Sequence, residues 1–126
     1  MSALFSKSKE HVGWPERKIK IDADGFTVVE EDVTPGTRCT WISVLEVFAY
    51  KIDLFSYDEI CIGFRFDAAG NHYWVGESYT GYKELIEELP RRFTGIRTDW
   101  FSEVAHPAFV TNRTSLWGET MAQTEQ

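Results

Sequence analysis

The feature that most constrains the fold of this chain is a period-two alternation of apolar side chains between Glu46 and Ser78. From Glu46 to Leu54, Phe48, Tyr50, Ile52 and Leu54 fall on one side of an extended backbone, and Val47, Ala49, Lys51 and Asp53 on the other. Residues 59 to 66 repeat the pattern, with Ile60, Ile62, Phe64 and Phe66 set against Cys61, Gly63 and Arg65. A helix would spread these residues around its circumference, so both segments are read as strands. Asp67 to Asn71, with Gly70 near the tip, supplies a turn, and His72 to Ser78 is the returning strand. With residues 67 to 71 as the loop, Phe66 faces His72, Phe64 faces Trp74, Ile62 faces Gly76 and Ile60 faces Ser78. The other side then carries Arg65 with Tyr73, Gly63 with Val75 and Cys61 with Glu77, and a bulge would reverse the assignment for one strand.

Similar reasoning extends outward from this hairpin. Arg17 to Ile21 and Phe26 to Glu30 flank the turn residues Asp22-Ala23-Asp24-Gly25 and predict a first hairpin, and Pro35-Gly36 predicts a break after it. Thr80 is placed to cap a helix in which Tyr82, Leu85, Ile86 and Leu89 recur at helical spacing, and Pro90 limits or kinks that helix. A second helical turn begins near Thr98, carries Trp100, Phe101 and Val104 and ends before Pro107, and residues 108 to 117 are extended. A chain of 126 residues supports one core, so residues 17–118 are read as a single domain, with 1–16 a flexible arm and 119–126 a disordered tail. The predicted fold is α+β: a strongly bent antiparallel sheet or small PH-like barrel packed with a C-terminal helix. This order of elements resembles that of pleckstrin-homology-like bacterial domains.

Charge narrows the partners. Thirteen basic against 20 acidic side chains leave a net charge of −7, which repels phosphate backbones and anionic lipid at long range. Neither nucleic acid nor a membrane is expected, although Lys7, Lys9, Arg17, Lys18 and Lys20 make the N-terminal segment locally basic. No run of about 18 apolar residues and no secretory signal occurs, so the expected compartment is the cytoplasm. There Cys39 and Cys61 are read as reduced strand or core residues, and the Asn112 sequon carries no weight.

A catalytic centre does not emerge. Three histidines, His11, His72 and His106, are the neutral-pH bases, and none sits in a catalytic signature or at metal-ligand spacing with a cysteine. Asp22, Asp24 and Gly25 open like a calcium loop but lack its later ligands, so a turn is the better reading. A carboxylate beside Cys61 would raise its thiol pKa and oppose activation. Glycines are not gathered into a phosphate loop, and Lys51 with Asp53 is read as an ion pair at a sheet edge. The chain is therefore expected to be non-enzymatic, with no cofactor and no metal.

Aromatic residues make up 15% of the chain, more than a single small sheet with one helix covers on both faces. An uncovered aromatic face is an interface for a like subunit or for another protein, and the candidate partner-binding residues are Tyr50, Tyr73, Arg65 and Glu77. Residues 46–54, Asp58-Glu59-Ile60-Cys61, Thr80-Gly81-Tyr82, Asp99-Trp100-Phe101, Pro107-Ala108-Phe109 and 112–117 resemble a family of small, mostly uncharacterised bacterial proteins. Some of that family look like immunity proteins of polymorphic toxin systems. The resemblance spans Trp41 to Trp117 and implies a protein that binds a cognate toxin; it supplies no site residues. The competing expectation is a small-molecule or lipid-headgroup site in a PH-like domain.

Overall fold

The computed structural model describes residues 16–31, 33–53, 58–106 and 113–120. The alternating segments are strands: β1 (Arg17–Asp22), β2 (Gly25–Glu30), β3 (Val33–Thr40), β4 (Glu46–Asp53), β5 (Asp58–Arg65) and β6 (His72–Gly76). A single 3-10 turn, Trp41–Ser43, joins β3 to β4; two helices, α1 (Tyr82–Arg92) and α2 (Phe101–Ala105), precede a last strand, β7 (Thr114–Gly118). Among the described residues the ladders are antiparallel and form two sheets, one of order β1-β2-β3 and one of order β6-β5-β4-β7. The molecule is α+β, and no closed barrel is formed among the described residues. All but the last residue of the expected arm 1–16, the stretch 107–112 and all but the start of the expected tail lie outside those residues.

The calcium-like segment closes the β1–β2 hairpin. Asp22 Oδ1 accepts the amides of Asp24 at 2.9 Å and Gly25 at 3.1 Å, and Arg38 of β3 grips the same carboxylate. The Arg38 hydrogen bonds, followed by that turn amide, hold the Asp22 carboxyl well below the usual range.

Four local expectations are corrected. Pro35-Gly36 does not break the chain but lies within β3, an outer strand of its sheet, where a residue without an N–H is tolerated. The β5–β6 register is shifted by one from the expected pairing: Arg65 faces His72, Gly63 faces Trp74 and Cys61 faces Gly76, not Tyr73, Val75 and Glu77. The cause is a tighter loop, closed by Phe66 N–H on the Asn71 carbonyl and by Asp67, whose carboxylate accepts both the backbone and side-chain amides of Asn71. Thr80 does not cap α1. Its backbone is already bonded to β1, so Gly81, at φ 95°, takes the cap position. Pro90 does not stop α1, which continues to Arg92.

One face of the larger sheet builds the core, with Val47, Ala49, Ile60, Ile62, Phe64 and Val75 packed against Ile19, Phe26 and Cys39 of the smaller sheet. The amphipathic spacing of α1 delivers Leu85 and Leu89 to the same cluster, and Phe93, Trp100, Val104 and Leu116 complete it. Each large apolar side chain so buried contributes about 1.5–3 kcal/mol. Lys51 belongs to this face and is buried, not set at an edge; its ammonium donates to the Ala105 carbonyl at the end of α2 (2.8 Å) and pairs with Asp58 at 3.6 Å.

Candidate functional site

Two open sheets have four outer strands, and a strand edge left unpaired is a template for another chain unless it is blunted. Among the described residues two of the four, β1 and β7, carry backbone partners, and a third, β3, holds a proline. On β1, Ile19 N–H donates to the Thr80 carbonyl (2.8 Å) and Thr80 N–H to the Arg17 carbonyl (2.9 Å). On β7, the Leu116 carbonyl accepts Arg97 N–H at 3.0 Å. On β3, Pro35 removes a donor.

β6 is different. In an antiparallel ladder, hydrogen-bonded and non-hydrogen-bonded pairs alternate. The bonds from Phe66 N–H to Asn71 and from Glu77 N–H to Ile60 set the phase, so Tyr73 and Val75 direct their amides and carbonyls toward β5. Those of His72, Trp74 and Gly76 point to the free side. The Gly76 carbonyl is taken by Tyr79 N–H at 3.0 Å, whereas no backbone partner for His72 or Trp74 occurs among the described residues.

That free edge opens onto a cleft of about 310 Å³ between the sheets, lined by β6 residues 72–74, by Tyr79 and by the inner face of the smaller sheet. Register places Phe26 beside Cys39, Val28 beside Thr37 and Arg17 beside Glu30 on that face. The cleft thus grades from an apolar floor, Phe26 and Cys39, through half-buried Val28 to a polar mouth where Arg17 meets Glu30 at 3.6 Å. Arg17 also lies 5.6 Å over the Tyr79 ring, and Trp74, 41% exposed, stands 5.9 Å from the same ring.

The opposite face of the larger sheet holds a charged, aromatic network. Glu46, fully buried, accepts Arg65 Nε at 2.9 Å and both terminal nitrogens of Arg113 at 3.0 and 3.1 Å. Arg113 also sits 3.8 Å over the Phe48 ring, which stacks with Tyr50 and meets His72 edge-on. Gly63 makes room for it: a Cβ there would lie 2.4 Å from the ring. Burial pushes the Glu46 carboxyl up, but hydrogen bonds from Arg113, Arg65 and Ser115 outweigh it and leave the group lowered.

The four residues singled out by sequence do not converge. Arg65 is buried in the network just described and Tyr50 is half-buried on the same face. Tyr73 lies on the opposite, core side against Phe66, and Glu77 is exposed in the turn after β6, its carboxylate accepting Ile60 N–H. Of the four, only Tyr73 lines the cleft.

The titratable groups nearby are not activated. Burial pushes both the Cys39 and Cys61 thiols up to about 12, with Glu59 and Glu77 adding to the effect at Cys61, so both are protonated at neutral pH. His72 and His106 each hold a backbone carbonyl, of Gly70 and Ser102. Among the described residues no cluster of His, Cys, Asp or Glu could hold a metal, and no helix is long and apolar enough to cross a membrane. No protein-family model matches the chain, and neither a curated protein nor a solved structure matches it.

Sequence reasoning passed over Arg17, Val28, Thr37 and Trp74 as a group because they meet only when the sheets pack. One signal was present: the short turn after β5 fixes the phase of β6, and with it which amides face outward.

Proposed function

We propose that this chain is a non-catalytic protein-binding domain that receives its partner in the cleft between the sheets. One observation carries the reading: β6 is an outer strand with backbone donors and acceptors left open among the described residues, and it borders an aromatic cleft. Neutralising a toxin, as the family resemblance implies, is one form of such binding, and the acidic balance suits a basic partner. The buried, protonated Cys39 thiol speaks against nucleophilic chemistry at this place.

The test is direct. Proteins encoded beside this one are mixed with the purified chain, and binding is measured for the native sequence and for Thr37→Arg. Thr37 is exposed and lines the cleft, so arginine there fills the space without disturbing the core. Loss of affinity by about tenfold or more is expected; a variant that binds as well as the native chain places the partner elsewhere.

A second reading retains the PH-like comparison, with a small anionic ligand or lipid headgroup in place of a protein. It draws on the cleft volume, at the lower end of ligand sites, and on Arg17 at the mouth. Glu30 already occupies Arg17, which lowers its capacity for an anion. Thermal stabilisation by inositol phosphates or other small anions, lost in Arg17→Ala, would favour this reading over the first.

A further inference from the structure

We infer that the partner enters as an extended segment that adds a fifth strand to the larger sheet along β6, a mode that rests on the protein-binding reading above. The chemistry presented is that of a strand waiting for a neighbour. At His72 and Trp74, two N–H donors and two carbonyl acceptors face the cleft side with no partner among the described residues, at the alternate spacing that only an extended backbone matches. The added strand would place every second side chain between the sheets, beside Val28 and Tyr73, and the others on the side of Trp74.

These neighbours define the segment. Its inward residues are apolar, because the cleft narrows onto Phe26 and Cys39. Its flanks carry lysine or arginine, because exposed Glu77 directly follows β6 and the whole chain carries −7. β6 has five residues, so the contact spans about 17 Å at the usual rise. A second copy of this chain fits less well, since pairing two β6 edges would bring two bodies of charge −7 together.

The experiment selects binders to the full chain from a random peptide display library, then replaces each backbone amide of the best peptide in turn by its N-methyl form. Strand addition predicts a loss of about tenfold or more at alternate amides and little change at those between. In the protein, Trp74→Pro removes an outward N–H that the β5 ladder does not use, so it should abolish binding with an unchanged circular dichroism spectrum. If that variant fails to fold, the N-methyl series on the native chain decides alone. Peptides that bind and are blocked by Thr37→Arg, yet show no alternation, overturn strand addition and leave the cleft as the protein site. Selected peptides indifferent to Thr37→Arg, or no binders at all, overturn both. A dimer in sedimentation that Trp74→Pro dissolves makes a second copy the occupant and also overturns the inference.

Discussion

β1 and β6 are both short outer strands bordering the same intersheet space, and they are finished in opposite ways. β1 is covered by the backbone of Thr80, held in place by a glycine whose left-handed conformation turns the chain at once into α1. Among the described residues β6 has only the Tyr79 amide on its last carbonyl, leaving His72 and Trp74 facing the cleft. The same turn, residues 77–81, therefore closes one edge and stops short of the other. An unblunted edge is a hazard that natural sheets remove, so the backbone groups of β6 that are open among the described residues, beside Trp74, Tyr73 and Tyr79, are where the proposed partner would act.

The largest effect is expected from loosening the sheet that presents β6. Arg65→Ala leaves Glu46 buried without one of its two guanidinium partners, and a loss of about 3–5 kcal/mol is expected in denaturant unfolding. The same network sets an acid limit. Glu46 titrates below its ordinary 4.5 in the folded chain, so its contribution is complete above that pH and fades as pH falls through the folded value. Glu46→Gln should flatten that acid slope in pH-dependent denaturation; an unchanged slope would assign it to other carboxylates.

Next comes the closed edge. A Cβ at residue 81 would lie 2.7 Å from the Ile19 carbonyl and impose strain at φ 95°, so Gly81→Ala should cost about 1–3 kcal/mol and speed exchange of the Ile19 amide. Unaltered protection at Ile19 would mean that Thr80 is not what covers β1. In the native chain, hydrogen exchange should separate neighbours on one strand, with the Trp74 amide at least about tenfold faster than that of Val75. Equal protection of the two would show that β6 already has a partner. The smallest change is Pro35→Ala, which restores a donor to β3 and should cost only about 0.4–1 kcal/mol in thermal unfolding, through the freer unfolded chain.

Much of this architecture was readable from alternation alone. The faces of β4 and β5, the first hairpin, α1 and the short α2 follow from which residues repeat at two and which at three to four. Side chains that bond to the backbone explain the failures. Asp67 folds onto Asn71 and shortens a loop by one residue, which moved every partner of β6 to the other face. Thr80 has a capping side chain at the right distance from α1, but its backbone is committed to β1, a contact 62 positions away that no local pattern announces. Lys51, read with Asp53 as an ion pair at a sheet edge, lies instead on a central strand, where the carbonyl of Ala105 and the carboxylate of Asp58 supply what burial requires. The cleft was illegible for a different reason, since its walls come from β1, β2, β3 and β6 and exist only through the packing of one sheet on the other.

The Arg113 side chain reaches Glu46 across 67 positions of sequence, and β7 joins β4 over the same span, while the remaining ladders connect successive segments. Contacts so far apart form late, because the intervening loop must be closed before they are rewarded. Self-assembly should accordingly be ordered in time: two meanders appear first, and the last strand then arrives with the cation that completes the neutralisation of a carboxylate already leaving water. Faster unfolding with little change in the refolding rate, in a chain with Arg113 replaced, is the kinetic signature of that sequence of events.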